Sequence, residues 1–214
     1  MTAEYKKANQ KESTTELNIV LLPDDATSQT LVTWSERVAH RYPTVFKLNQ
    51  TDKLPHLSLY SAKYPSENQD QIEEQVRTIA ASTSPVDIIL QGFSIFSGFL
   101  FYDALKSDKL LKLHEQLVSA LNPLREGLIS DTQRQLTNLT DEQQKAIEIY
   151  GYVSVGRLYM PHVTVTKMVN PQVAKQAIAL LPKETHIFQA KEIAIAPFAS
   201  HGTCPKPLLT IPLL

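Results

Sequence analysis

The chain has 214 residues, of which 43% are hydrophobic and 20% are charged, a composition typical of a globular protein with a substantial core. Its 21 lysine and arginine residues nearly balance 22 aspartate and glutamate residues, so the protein lacks the broad positive field that would hold duplex DNA. The single cysteine, Cys204, excludes an internal disulfide and argues against a cysteine-rich zinc site.

The first fifteen residues are polar and charged and lack the apolar stretch of a signal peptide. We therefore expect residues 1–15 to form a disordered polar tail and residues 16–214 to form a single domain. No later apolar run is long enough to span a bilayer. These features lead us to expect a cytoplasmic, monomeric protein without a membrane partner.

The remainder of the chain alternates between strand and helix patterns. Short apolar runs that end at turn residues predict strands, and apolar residues at three- and four-residue spacing predict amphipathic helices. In chain order, the predicted elements are a strand at 17–22, a helix at 26–42, a strand at 55–61, a helix from Ser66, strands at 86–90 and 98–102, a helix at 105–124, a flexible loop at 128–139, a helix at 140–150, strands at 152–155 and 161–168, a helix from Asn170 to Pro182, and strands at 192–196 and 208–213. This order predicts a mixed α+β protein.

Two of the predicted strands share one pattern, which is proline, histidine, apolar, hydroxyl, apolar. The two segments are Pro55-His56-Leu57-Ser58-Leu59 and Pro161-His162-Val163-Thr164-Val165. Because side chains alternate across a strand, His56 and Ser58 should project from one face, and His162 and Thr164 from one face of the other strand. If the strands lie side by side, two imidazoles and two hydroxyls surround a cavity that fits one phosphate.

This set of groups suits acid–base chemistry at a phosphodiester. One neutral histidine can take a proton from water while the other, protonated, delivers a proton to the leaving ribose oxygen. Imidazole suits both tasks because its unperturbed pKa is ~6.5, and the scheme requires no metal or other cofactor. From the residues alone, a second interpretation stays open, in which both histidines only satisfy ordinary hydrogen bonds in their strands. A third match, His201-Gly202-Thr203, lacks the alternating pattern and is assigned to a loop.

The two motifs resemble the duplicated His-x-Ser/Thr signature of the two-histidine (2H) phosphoesterases, a superfamily of RNA 2′,3′-cyclic phosphodiesterases and 2′-5′ RNA ligase-like proteins. The lead-in from Arg157 to His162 is similar to the Arg-x-aromatic-x-Pro-His segment of that family. The resemblance extends from about Leu17 to Leu214. It implies a bilobal fold in which two antiparallel sheets flank a central cleft, with helices outside.

The resemblance also implies roles for the motif residues. His56 and His162 would be the catalytic pair, without an assignment of which is acid and which is base, and Ser58 and Thr164 would bind the phosphate. Strand parity adds Tyr60, which could stack on a base at the cleft edge. The same parity places Thr166 beside Thr164, whereas Arg157 and Lys167 have the opposite parity and are expected to be solvated surface charges.

Together these features predict a metal-independent enzyme that hydrolyses the 2′,3′-cyclic phosphate of a nucleotide or RNA end. The alternative is a catalytically weak module that binds an RNA end or nucleotide in the same cleft. An interaction protein in which both histidines are buried scaffold is a third possibility. The segment between Arg125 and Tyr150 is predicted to be an insertion that could cover or reshape the cleft.

Overall fold

The computed structural model of the protein describes residues 13–214, and nine strands within this range form one curled antiparallel sheet. The strands are β1 (Thr14–Leu21), β2 (Thr44–Lys47), β3 (Leu57–Pro65), β4 (Val86–Phe96), β5 (Phe99–Ala104), β6 (His162–Met168), β7 (His186–Ala190), β8 (Glu192–Pro197) and β9 (Leu209–Pro212). The helices are α1 (Asp25–Arg41), α2 (Gln69–Ala80), α3 (Asp108–Leu121), α4 (Asp131–Arg134), α5 (Asp141–Tyr150) and α6 (Ala174–Ile178). The predicted α+β class is confirmed.

The sheet has a narrow junction in its middle. Its strand order is β7-β4-β5-β6-β3-β1-β8-β9, and β2 pairs with β6. The central strands β3 and β6 share one pair, Leu57 with Val163, whereas every other neighbouring pair shares a longer ladder. The two predicted sheets are therefore the two halves of one sheet, which meet where the histidine motifs begin.

The helices bury their apolar stripes against the sheet because each stripe follows the 3.6-residue period. Helix α1 packs on β2 and β6, α3 packs on β3, and α2 packs on β8 and β9. Side chains cap the helix starts: Asp24 accepts from the Thr27 amide, and Ser107 accepts from the Leu110 amide. The predicted capping box of Thr140 and Gln143 at the start of α5 is present, with both reciprocal bonds formed.

Some of the predicted strands and one predicted boundary differ from the structure. Strands β2 and β7 were missed, since each gains its ladder from a strand distant in the chain, β6 and β4 respectively. Residues 152–155 were predicted to form a strand but do not. Gly151 ends α5 in a left-handed conformation, and the backbone amide of Val153 then donates to the side chain of Gln133 instead of to a neighbouring strand. The predicted tail 1–15 is too long, because β1 starts at Thr14; residues 1–12 lie outside the described residues.

None of the helices formed by residues 13–214 is long and apolar enough to cross a bilayer.

Candidate active site

Each histidine strand contains one β-bulge, directly after its histidine–hydroxyl pair. The extra residue is Leu59 in β3 and Val165 in β6. The pairs that flank the bulges are Val20–Ser58 and Ile19–Tyr60 in one half, and Phe101–Thr164 and Leu100–Thr166 in the other. A bulge inserts a single residue, so it reverses the inside–outside parity of everything that follows it in the strand.

The bulges correct three predictions. Tyr60 is fully buried and its hydroxyl donates to the Tyr150 carbonyl at 2.6 Å, so the prediction that Tyr60 stacks on a base is wrong. Thr166 is also fully buried and donates to the Phe46 carbonyl at 2.5 Å, away from Thr164. Lys167 instead lies on the cleft side, half-buried, with its Nζ 4.6 Å from the ring centre of Phe99.

Arg157 lies in a helical turn before β6, where strand parity does not apply, but the prediction that it is a surface charge is confirmed. Its side chain is 81% exposed and forms an ion pair with Glu142 on α5. Its guanidinium is therefore directed at the surface of the insertion and not at the histidines.

The single pair between the central strands brings the four predicted groups together. In an antiparallel register through Leu57 and Val163, the next residues outward place His56 opposite Thr164 and Ser58 opposite His162. Directly opposite side chains have Cβ atoms about 4.5–5.5 Å apart. The imidazoles therefore occupy one diagonal of a four-cornered site and the hydroxyls occupy the other.

Both imidazoles are anchored in the same way. The Nδ1 of His56 lies 2.9 Å from the Leu54 carbonyl, and the Nδ1 of His162 lies 2.7 Å from the Met160 carbonyl. A carbonyl only accepts, so each Nδ1 carries a hydrogen and each Nε2 is the basic nitrogen of the neutral ring. The proline that precedes each histidine restricts the backbone of the anchoring residue to an extended conformation.

The surroundings shift the proton affinities of the two rings. The pKa of His56 is lowered to about 4, mainly by burial and also by a positive charge on His162, while the Leu54 and Gly202 carbonyls act in the opposite direction. Burial also lowers the pKa of His162, whereas the Met160 carbonyl and the Asp103 carboxylate act in the opposite direction. Both rings are therefore mainly neutral at pH 7, and the negative charge of a bound phosphate would favour protonation of one.

The two hydroxyls differ in their support. The Oγ of Ser58 accepts from the side-chain Nδ2 of Asn18 at 3.0 Å, and the Oδ1 of Asn18 accepts from the Ser61 hydroxyl at 2.7 Å, so the hydrogen of Ser58 is left to donate to a ligand. The hydroxyl of Thr164 makes no hydrogen bond to any of the residues 13–214 and is half-buried at the site. Each can therefore donate to a non-bridging phosphate oxygen.

A second layer, which the motif did not indicate, braces the bulge of β3. His114 of α3 is buried, with Nδ1 2.6 Å from the Leu59 carbonyl and Nε2 accepting from the Gly156 amide at 3.2 Å. Its ring stacks on Tyr159, whose hydroxyl donates to the Ser58 carbonyl at 2.9 Å. These contacts tie the first histidine strand to the segment that leads into the second.

The two halves of the cleft are covered to different extents. We call the side of β1, β3 and β8 that faces the cleft the covered half; there Val20, Ala194 and Ala196 are fully buried against Cys204. The loop 198–206, which carries Cys204, is fixed by the backbone bond from the Leu54 amide to the Cys204 carbonyl. We call the corresponding side of β5 and β6 the open half, because its residues are half-exposed. They are Phe99, Phe101, Asp103, Thr164 and Lys167.

The predicted insertion adds to the cover. Ser130, Gln133 and Tyr152 line a small cavity with Ser61 on the covered half. Arg125, 3% exposed, closes the insertion at its base. Its guanidinium donates to the side chain of Asn122 and to the carbonyls of Leu128, Glu148 and Ile149.

A curled sheet that brings two Pro-His-x-hydroxyl strands to one cleft is the arrangement expected of a two-histidine phosphoesterase. A sequence model of the 2′-5′ RNA ligase superfamily matches residues 37–197, about three quarters of the chain, and the protein therefore belongs to this superfamily. The predicted resemblance is confirmed at the level of family and fold.

Solved structures share the fold at low identity. TT0787 of Thermus thermophilus is 16% identical with a TM-score of 0.59, over 92% of this chain and 97% of that chain. LigT of E. coli in its apo form is 16% identical with a TM-score of 0.54, over 94% and 98% of the two chains. The PDE domain of MHV ns2 is 16% identical with a TM-score of 0.53, over 85% and 99%. No curated protein sequence matches the chain.

Proposed function

We propose that the protein is a phosphodiesterase that hydrolyses the 2′,3′-cyclic phosphate of a nucleotide or RNA end, with His56 and His162 exchanging the protons. The observation that supports the proposal is the Leu57–Val163 pair, whose register puts two identically anchored imidazoles on one diagonal and two hydroxyls on the other. Because each Nδ1 is bound to a carbonyl, each Nε2 is the nitrogen that serves the reaction.

The proposed reaction needs two proton transfers at one phosphorus. One imidazole takes a proton from water as the new oxygen–phosphorus bond forms, and the other gives a proton to the ribose oxygen as its bond to phosphorus breaks. Ser58 and Thr164 donate hydrogen bonds to the non-bridging oxygens, where negative charge increases in the transition state. The product is a ribose phosphomonoester, and both protons are handled without a metal.

The nature of the ligand is supported by family membership and by one relative in particular. E. coli LigT, which shares the fold, is seen in complexes with 3′-AMP, ATP and NADP+. Each of those ligands is a nucleotide with a ribose and a phosphate. We propose the same class of ligand for this cleft, as part of a nucleotide or at the end of an RNA.

A binding module with weak chemistry is the second candidate, and one observation favours it. His56, at the start of β3 in the covered half, is only 7% exposed, so its ring has little access to a substrate in this conformation. A cleft of this form could hold a nucleotide phosphate through Thr164 and His162 while turnover stays slow.

Hydrolysis of 2′,3′-cyclic AMP, followed by chromatography of the products, tests the proposal. His56→Ala and His162→Ala should each reduce kcat by ~10²–10⁴-fold, the usual contribution of general acid–base catalysis. His40→Ala is the matched control, because His40 is exposed on α1 and should leave kcat unchanged. Undiminished turnover in either site variant would remove that histidine from the mechanism, and binding of the nucleotide without turnover would favour the module.

A further inference from the structure

One carboxylate lies beside the second histidine, and the motif did not indicate it. Asp103 of β5 is directly opposite His162 of β6, and the amide of Ala104 donates to the Pro161 carbonyl at 2.9 Å, which holds this end of the ladder closed. The preceding pair, Tyr102 with Val163, points into the core, so Asp103 and His162 share the cleft side. Ser94 of β4 donates to the Asp103 carboxylate at 2.7 Å and fixes its position.

The first histidine has a different neighbour at the equivalent place. Because both strands carry the same bulge, the pair Leu21–Leu57 corresponds to the pair of Tyr102 and Val163. The register of β1 and β3, continued by one residue beyond its last pair, puts Leu22 opposite His56, as Asp103 is opposite His162. Matched positions of the two halves therefore hold a leucine and a carboxylate.

We propose that Asp103 is a positioning residue that keeps the exchangeable proton on His162, so that His162 is the proton donor of the reaction and His56 is the proton acceptor. The assignment of catalytic roles rests on the proposed function. In these terms, His162 gives its proton to the ribose oxygen as the phosphorus–oxygen bond breaks, and His56 takes a proton from the attacking water.

The charged and titratable groups around His162 agree with this direction. Burial lowers the pKa of His162, and Asp103 on β5 opposes that shift; a positive charge on His162 in turn lowers the pKa of His56 across the junction. On β6 itself, Lys167 lies over the ring of Phe99, and on the segment before β6 the Arg157 charge is paired with Glu142. When the two imidazoles share one proton, the carboxylate of Asp103 therefore favours His162 as the ring that carries it.

An aromatic contact acts in the same direction. The ring of Phe101 stacks on His162 with ring centres 3.8 Å apart and an angle of 29° between the planes. The face of an aromatic ring attracts a cation, so this contact favours the imidazolium form of His162. The matched position in β1 is Val20, which offers His56 no such ring.

The test is an NMR titration of the imidazoles in the full-length protein. We expect His162 to titrate at a higher pH than His56. Asp103→Asn should lower the pKa of His162, because the variant loses the negative charge that opposes the effect of burial on this ring. Leu22→Asp should raise the pKa of His56, and Asp87→Asn, an exposed change on β4, is the control that should move neither.

A His162 midpoint below that of His56, or one that Asp103→Asn does not move, would overturn the proposal. This outcome does not depend on turnover, so it is distinct from a failure of the proposed function, which would appear as a wild-type protein that hydrolyses no cyclic nucleotide. Where turnover is measured, Asp103→Asn should move the alkaline limb of the kcat–pH profile to lower pH, by as much as NMR shows the pKa of His162 to fall. A merely structural role would lower kcat at every pH without moving that limb.

Discussion

The two halves of the cleft start from the same five-residue pattern and end as different chemical environments. Each histidine is anchored through Nδ1 to the carbonyl two residues earlier, and each strand has its bulge at the same place. His56, however, is buried and contacts Gly202 of the loop 198–206, and His162 lies half-exposed against Phe101 and Asp103. The motif determines where the reactive nitrogen points, and the neighbouring strands determine which form of the ring is favoured.

The largest expected effect is on the free energy of unfolding, when the side chain that closes the segment over the covered half is removed. Arg125→Ala removes four hydrogen bonds from a buried guanidinium and leaves three carbonyls without that donor, so we expect a loss of about 2–4 kcal/mol in the free energy of unfolding. Urea denaturation of the variant measures it. Arg134→Ala is the control, because Arg134 is exposed and donates to a single carbonyl. Equal stability of the two variants would show that Arg125 does not hold the insertion.

The hydroxyls of the two halves are expected to contribute to catalysis to a similar degree. Ser58→Ala and Thr164→Val should each lower kcat/KM by about 10–100-fold, the contribution of a hydrogen bond to a charged group. Steady-state hydrolysis of 2′,3′-cyclic AMP measures this effect. Thr203→Val, next to Cys204 in the covering loop, should change kcat/KM little, because Thr203 donates to the Ser200 carbonyl of its own loop. A large loss in only one of the two site variants would mean that the phosphate is held by one half alone.

His56 and His162 should also differ in how much each contributes to the pH dependence of stability. The pKa of His56 is about 4 in the folded protein and ~6.5 in the unfolded chain, so the unfolded chain binds more protons between these values. This contribution to stability is complete above pH 6.5 and is lost as the pH falls from 6.5 towards 4. It amounts to on the order of 2 kcal/mol between pH 7 and pH 5.

We therefore expect His56→Asn to reduce the drop in Tm between pH 7 and pH 5, as measured by circular dichroism. His162→Asn should reduce it less, because Asp103 opposes the effect of burial on that ring. A larger change in the His162 variant would contradict the contrast between the halves.

The smallest expected effect concerns Tyr60, which strand parity alone had placed at the cleft. Tyr60→Phe removes the hydrogen bond to the Tyr150 carbonyl and should lower stability by about 1 kcal/mol. Its kcat/KM should stay near that of the wild type, since the ring is fully buried. A substantial rise in KM for a nucleotide would restore Tyr60 as a base contact.

Prediction from the sequence succeeded up to the bulges and failed beyond them. The alternation rule correctly placed Ser58 on the same face as His56, and Thr164 on the same face as His162, because both hydroxyls precede the extra residue. It misplaced Tyr60 and Lys167, which follow it, since neither bulge contains a glycine or another local signal in the sequence.

The groups that distinguish the halves could not be predicted because they depend on strand pairing. Asp103 lies at the end of a strand whose partner, β6, is about sixty residues away in the chain, so nothing local links it to His162. His114 lies on the buried face of α3, and nothing in the sequence around it indicates that its ring binds the Leu59 carbonyl of β3. The segment between Arg125 and Tyr150 was predicted to cover or reshape the cleft, but the sequence does not indicate that the buried Arg125 side chain bonds to the Glu148 and Ile149 carbonyls within it.

A double-variant comparison of hydrolysis tests the central claim, that both imidazoles act on one phosphorus, most directly. Groups that act as a unit are strongly non-additive, so the His56→Ala/His162→Ala protein should hydrolyse 2′,3′-cyclic AMP only slightly more slowly than the slower single variant. Losses that multiply, or a double variant as active as the wild type, would show that the two histidines do not share a substrate atom.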